Sequence, residues 1–418
     1  MPEQFQTPSG TFDVLPPASA RYAELVARFA GHAGRAGFGL IVGPMFEDLG
    51  VFQRVGASTD IVRKEMYDFE DKGGRRIALR PDGTAPVARA FVQHRPPTPW
   101  KVWYVTPKFR YERPQAGRYR QHHEVGAEVL GTEDPDLDVE VIALAWLFYA
   151  ELGLTQLRLL LNTLGDATCR PAYRAILQEF LEGRRDQLCD EHKDRIAENP
   201  LRVLDCKRPQ CQAATADAPR QIDYLCDDCQ AHFDRVRAGL TALGIPFEIE
   251  TRLVRGLDYY TRTTFEFAAD ALDSAQNAVG GGGRYDGLVE QLGGPPTPGI
   301  GFGLGIERIL LACDAEGVFP IPESMVDAFV VDLTGGEQAR DLTHVLRRAG
   351  VRADRAFDNR SLKSQMKSAD RSGARLALIV GPDEAAAGLV TIRDLTTHDQ
   401  EQVATADVVD QVRKRLEQ

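Results

Sequence analysis

Apolar residues recur at helical spacing from Ala20 to Gly37, a stretch rich in Ala, Arg and Leu behind a Pro-Pro turn, and predict a helix there. The pattern then becomes β-rich. Lys101-Val-Trp-Tyr-Val105 and Gln121–Gly131 read as strands, and Asp136–Leu152 as an amphipathic helix with an apolar stripe toward a core. Dense strands around arginine-rich loops imply a largely antiparallel sheet. From about Asp166 to Phe247 the composition shifts to charged, helix-forming runs, which marks an inserted module. The sheet pattern returns over Glu248–Phe267 and Ala278–Gly287, and Gly299–Ala312 opens with glycines before continuing as a helix. After Pro320-Ile-Pro322 a fresh alternation begins: strand Ala328–Leu333, helices Glu337–Ala349 and Ser361–Arg371, then strands Leu376–Val380 and Leu389–Asp394. That reads as an independent α/β domain. The expected fold class is α+β, with parts at residues 1–165, 166–247, 248–322 and 326–418.

Composition narrows the class. The chain has 418 residues, 43% of them hydrophobic and 27% charged, enough for several domains with cores of their own. No apolar run approaches the length needed to cross a bilayer, and MPEQFQTPSGTFDVLPP lacks the basic-then-apolar pattern of a secretory signal, so a cytoplasmic location is expected. A net charge of −11 excludes indiscriminate coating of nucleic acid and confines any such contact to basic patches. Seven cysteines, six of them between Asp166 and Phe247, suit reduced thiols or a metal site better than a secreted disulfide framework. Cys206-x4-Cys211 and Cys226-x2-Cys229 have the spacing of a structural zinc knuckle, and four thiolates would close a tetrahedral site. Reduced core cysteines remain the other reading.

Two segments carry most of the chemistry. Phe109-Arg-Tyr-Glu-Arg-Pro-Gln-Ala-Gly-Arg-Tyr-Arg-Gln-His-His-Glu124 sets four arginines, Arg110 to Arg120, around a Pro/Gly turn. Rigid guanidinium forks across a hairpin can cradle a polyphosphate, although a solvated, salt-bridged hairpin has the same composition. Gly299-Ile-Gly-Phe-Gly-Leu-Gly-Ile-Glu-Arg308 places alternating glycines ahead of an arginine at a helix start. Backbone there can approach a nucleotide, or simply pack closely.

Together these strings resemble motifs 2 and 3 of class II aminoacyl-tRNA synthetases. Leu253-Val-Arg-Gly-Leu-Asp-Tyr-Tyr260 and Gly282-Gly-Arg-Tyr-Asp-Gly287 resemble the two histidine signatures of the histidyl-tRNA synthetases, and Gly43-Pro-Met-Phe-Glu47 stands where motif 1 would lie, at a dimer interface. The likeness runs from Gly10 to the end of the chain. It implies an antiparallel catalytic domain in two parts, 1–165 and 248–322, a helical insertion at 166–247, and an α/β anticodon-binding domain at 326–418. The implied reaction joins L-histidine to its tRNA through histidyl-adenylate, with ATP entering as its Mg2+ complex and a homodimer as the working unit. Carried over by position, Arg110 holds the ATP α-phosphate and the carbonyl under attack, Glu112 the adenine amino group, and Arg118 with Arg308 the terminal phosphates. Arg255 stabilises charge developing on the α-phosphate, where relatives use a metal ion.

The histidine-binding positions implied are Asp82, Gly83 and Thr84 from Arg80-Pro-Asp-Gly-Thr84, together with Glu124, Glu128, Tyr259, Tyr260 and Tyr285. Asp82, Thr84 and Glu124 hold the amino end, while Glu128 and Tyr260 face the ring; for the tyrosines, plain core packing is the other reading. Asp82, His122 and Glu124 depart from the family's usual Glu, Phe and Gln. The departures imply a compensation in which a full charge at Glu124 makes good the shorter reach of Asp82, while His122 still stacks on adenine. Basic residues Arg347, Arg348, Arg360, Lys363, Lys367 and Arg371 could meet anticodon-stem phosphates, and Arg184, Arg185 and Lys193 the acceptor arm. A histidine-sensing regulatory paralogue and an adenylating ligase are the rival readings. Both would dispense with a final domain, and the paralogue also with part of the set Arg110, Arg118, Arg255 and Arg308.

Overall fold

A computed structural model describes residues 4–417 except 57, 58, 60, 258, 274–276 and 323. It divides into two compact units: the chain up to Asp13 with Tyr22–Pro320, and Val14–Arg21 with Ile321 onward.

The first unit is built on an eight-stranded sheet in the order Gly39–Leu40, Trp100–Phe109, Gln121–Leu130, Gly299–Gly305, Ala278–Arg284, Thr261–Ala269, Leu157–Thr163 and Glu248–Ile249. The six central strands pair antiparallel, and only the two short edge strands run parallel to their neighbours. Period-2 alternation gives this sheet two unlike faces. Val125, Ala127 and Val129, Ile300, Phe302 and Leu304, and Phe265 and Phe267 all join one core, against residues such as Phe29, Phe148, Val236 and Ile309 from four helices. Those helices are Ala18–Arg35, Pro135–Glu151, Asp227–Ala242 and Ile306–Glu316. The alternate residues, Glu124, Gly126 and Glu128, Gly301 and Gly303, and Thr264 and Glu266, therefore share the opposite face. A three-stranded sheet, ordered Phe46–Asp48, Arg76–Leu79, Tyr67–Glu70, and helix Thr84–His94 flank that second face.

Residues 166–247 fall within this same unit. Tyr173 through Ala214 supply a small core of their own, whereas helix Asp227–Ala242 gives Phe233, Val236 and Leu240 to the main core. A buried chain of polar contacts fastens it there: His232 meets Asp138 at 2.8 Å, and Asp138 accepts from Arg284 at 2.8 Å.

The second unit is a five-stranded sheet, ordered Ala353–Arg355, Ala328–Asp332, Leu376–Val380, Leu389–Asp394, Gln400–Ala404. Its first three strands are parallel and its last two antiparallel. Helices Glu337–Arg348 and Val408–Leu416 pack on one face, through Leu342, Leu346 and Val412. Helix Leu362–Ser372 packs on the other, through Met366 and Ala369.

Candidate active site

The polar face of the larger sheet opens into a cavity of about 1100 Å³ including its mouth, with two chemically opposite ends. The first end is acidic. Glu124 and Glu128 project from one strand at i and i+4, and Asp82 comes from the turn before helix Thr84–His94, whose Ala85 N–H its carboxylate accepts at 3.0 Å. Thr84 donates to Glu128 at 2.7 Å, Tyr285 to the other oxygen of Glu128 at 2.5 Å, and Tyr259 to Asp82 at 3.3 Å. Tyr104 donates to both Glu124 and Glu128 at 3.2 Å. Burial raises the Glu128 carboxyl to about 8 despite these donors, so it stays largely protonated at neutral pH. Glu124 is ion-paired with Lys108 at 2.5 Å. The buried Lys108 is thus the cation in direct contact with this group of carboxylates.

Glycines make room for these carboxylates. Gly301 pairs with Glu128 across the sheet, and a Cβ at Gly301 would lie 1.7 Å from the Glu128 carboxylate; one at Gly303 would lie 2.3 Å from that of Glu124. A Cβ at Gly281 would come within 2.7 Å of Arg255. The alternating glycines thus form a floor on which charged side chains lie flat, the close-packing reading, with the protein's own groups occupying the space.

The second end is basic. Arg110, Arg118, Arg255 and Arg308 all reach the cavity. Arg110 donates to the Pro81 carbonyl at 3.0 Å, and Arg308 to the carbonyls of Gly117 at 2.8 Å and Ala278 at 2.9 Å. Arg255 bonds Glu266 at 3.0 Å, and its Nε is buried with no hydrogen-bond partner among the described residues. Such a donor is costly unless something else accepts from it. Residues 115–118 close a two-residue turn, Gln115 and Arg118 exchanging backbone bonds at 3.1 and 2.9 Å around Gly117 at φ +69°. That turn delivers Arg118 onto Glu112 at 2.8 Å. Burial, then the neighbouring Arg110, Lys108 and Arg308, hold His122 well below the usual imidazole range, so it presents a neutral ring to the cavity.

Of the residues singled out in the sequence, Asp82, Thr84, Glu124, Tyr260, Arg110, Glu112, Arg118, His122, Arg255 and Arg308 line the cavity. Glu128, Tyr259 and Tyr285 are buried behind its wall, tied to Thr84 and Asp82 as described, while Gly83 gives Tyr104 space that a Cβ would fill at 2.5 Å. Asp258 of the first histidine signature lies outside the described residues. The other two hairpin arginines do not line the cavity: Arg120 stacks on Tyr111 at 3.9 Å and Arg113 is exposed. Sequence reasoning missed Lys108, Tyr104, Glu266 and Glu307. Tyr104 and Lys108 share the buried parity of strand Trp100–Phe109, and a lysine at such a position is a signal that alternation alone supplies. Glu307 lies beside Arg308 in the motif and grips His123 through its backbone N–H at 2.9 Å and its ring at 2.8 Å.

The expected four-cysteine site does not form. Cys206 and Cys211 lie with Cys189 and His192, whereas Cys226 and Cys229 lie with Asp166 and Cys169. The cause is packing: Cys206 and Cys211 belong to the insertion's own core, while helix Asp227–Ala242 is drawn onto the sheet and takes the second pair with it.

A sequence profile described as Histidyl-tRNA synthetase matches residues 10–309, and one described as Anticodon binding domain matches 318–415. The chain is 51% identical to the Histidine–tRNA ligase of Rhodococcus erythropolis, over 98% of this chain and 97% of that protein. It is likewise 51% identical to the Histidine–tRNA ligase of Mycobacterium marinum, over 99% of each. Among solved structures, apo S. aureus histidyl-tRNA synthetase superposes with a TM-score of 0.82 at 35% identity, covering 98% of this chain and all of that one.

Proposed function

The chain belongs to the histidyl-tRNA synthetase family and is a histidine–tRNA ligase, and we propose that the two-ended cavity is where it forms histidyl-adenylate from histidine and MgATP. The observation that carries this reading is one cavity lined at one end by the carboxylates of Asp82 and Glu124 and at the other by Arg110, Arg118, Arg255 and Arg308, with the buried Nε of Arg255 lacking a partner among the described residues. Carboxylates match an ammonium, and a buried orphan donor matches a phosphate oxygen.

In this reading Asp82, Thr84 and Glu124 take the ammonium, and Tyr260 with Glu128 behind it faces the imidazole. The compensation inferred from the sequence gains a third member. Glu124 does not act as a free charge, because Lys108 already neutralises it; the pair instead holds the Glu124 carboxylate in place. Arg110 binds the α-phosphate and steers the histidine carboxylate. A carboxylate oxygen attacks the α-phosphorus, the bond to the bridging oxygen of the β-phosphate breaks, and pyrophosphate leaves. Arg255 meets the charge that grows on the α-phosphate oxygens, while Arg118 and Arg308 hold the departing phosphates. Arg118 must leave Glu112 for this, which frees the Glu112 carboxylate to accept from the adenine amino group as His122 stacks on the base. The terminal ribose hydroxyl of the tRNA then attacks the adenylate carbonyl and AMP departs; no step is covalent with the protein.

The anticodon-binding domain presents five of the six basic residues named above on helices that cover opposite faces of its sheet, with Arg360 in the loop before the second of them. Arg347 is tied down by the Ala353 carbonyl at 2.8 Å and Arg360 by Asp358 at 2.8 Å, so Lys363 and Lys367 are the better candidates for phosphate contact. Leu40, Val42, Met45 and Phe46, around motif 1, are all exposed and suit burial in a homodimer. Among the described residues, no helix is long and apolar enough to cross a membrane.

The test is histidine-dependent exchange of labelled pyrophosphate into ATP, with charging of tRNA measured in parallel. Exchange that requires Arg255 and Arg110, followed by charging, supports the assignment. Unchanged exchange in Arg255→Ala and Arg110→Ala would place the chemistry elsewhere.

A further inference from the structure

We propose that the segment from residue 166 to 229 holds two zinc ions in separate tetrahedral sites, one ligated by Cys189, His192, Cys206 and Cys211 and the other by Asp166, Cys169, Cys226 and Cys229. In each group the four candidate donor atoms lie within 4.8 Å of one another. Thiolates held about 2.3 Å from a tetrahedral zinc are about 3.8 Å apart, so each group can close around one ion with small side-chain shifts. Each offers three thiolates and one harder donor, a set that selects zinc over magnesium or calcium.

Ordinary buried cysteines have no reason to gather this way. Six of the seven fall into two triads, each completed by a nitrogen or oxygen ligand, while Cys313 packs in the core of the main sheet. Three of the local spacings, Asp166-x2-Cys169, Cys189-x2-His192 and Cys226-x2-Cys229, are single turns that direct two ligands at one point. Outer-shell bonds suit ionised ligands as well. The Cys189 N–H donates to Cys211 Sγ at 3.2 Å, and Thr168 N–H to Asp166 Oδ1 at 2.9 Å. Three thiolates and a carboxylate around Zn2+ leave a charge of −2, which Arg262, 3.4 Å from the other Asp166 oxygen, partly offsets. None of the seven cysteines is in a disulfide.

The segment also needs staples. Between Gly183 and Cys226 its helical turns run from three to six residues, too short to hold themselves. Its core is small, and Cys189, Cys206 and Cys211 are part of it. The Asp166 site ties the start of the segment to the first turn of helix Asp227–Ala242, and the Cys189 site cross-links the stretch between.

The experiment measures metal by mass spectrometry on full-length enzyme, purified without added metal and dialysed against metal-free buffer. Two zinc per chain are expected, with Cys211→Ser and Cys229→Ser each keeping one and Cys313→Ser keeping both. Should the variants prove insoluble, the wild type alone decides: cobalt exchange should give tetrahedral d–d bands and thiolate charge transfer for two equivalents. Zinc below about 0.2 per chain with no such spectrum would overturn the proposal, given the affinity of structural sites. A single equivalent would overturn it too, and its loss in both Cys211→Ser and Cys229→Ser would restore the one-site arrangement of four cysteines.

Discussion

The acidic and the basic end of the cavity are held in different ways. At the acidic end the side chains fix one another: Thr84, Tyr104 and Tyr285 donate to Glu128, Tyr259 to Asp82, and Lys108 to Glu124, all buried. At the basic end the tethers are mostly backbone carbonyls, of Pro81, Gly117 and Ala278, and two of the four arginines lie against carboxylates that can be released. Like charges cannot satisfy one another, so arginines gathered at one end of a cavity must be braced from the main chain. Mixed acids and hydroxyls can be braced mutually. The acidic end is therefore preorganised and sensitive to single changes, and the basic end waits for its ligand.

The sharpest break between the ends should come from Arg255→Ala. The exchange turnover should fall by about 10²–10³ with histidine KM nearly unchanged, as expected of a group acting on transition-state charge. A rise in histidine KM at unchanged turnover would instead make Arg255 part of the acidic end. Next in size, Lys108→Met leaves Glu124 buried without its cation and should lower unfolding free energy by about 3 kcal/mol. Lys108→Met/Glu124→Gln should recover most of that, which urea midpoints for the cycle would show. Gly301→Ala forces Glu128 off its floor and should destabilise by about 1–3 kcal/mol while weakening histidine binding; an unchanged KM would mean that the carboxylate has no fixed post. The remaining prediction concerns pH. Glu128 is raised in the folded protein from 4.5 to about 8, so between those values the native state holds a proton that the unfolded chain has lost. Stability should fall as pH rises through that window and level off above it. Melting curves of Glu128→Gln should lack this component, and a parallel fall in both proteins would show that Glu128 is not its source.

Much of this was legible in the sequence because it depends on local pattern. Strands Trp100–Phe109 and Gln121–Leu130 and helix Pro135–Glu151 follow from alternation and spacing, and arginines flanking a Gly turn name the basic end. The acidic end was read less well, since its logic lies between strands. Only the register that pairs Gly301 with Glu128 shows why the glycines are there, and only the shared face of two strands shows that Lys108 belongs to Glu124. The short strands Gly39–Leu40 and Glu248–Ile249 carry too few residues for a period, and they pair in parallel at the edges of a sheet expected to be antiparallel. The cysteines failed for a related reason. Spacing along the chain joins Cys206–Cys211 with Cys226–Cys229, but packing of the intervening turns assigns them different neighbours.

The glycine floor also bears on how such a pocket can change over generations. Because the space above Gly301 is filled by Glu128, and that above Gly303 by Glu124, neither partner can vary alone without a clash or a hole. A lineage moving toward another amino acid substrate would have to alter residues on adjacent strands together. The second change becomes tolerable only once the first has occurred, so the route is narrow and depends on the order of the steps.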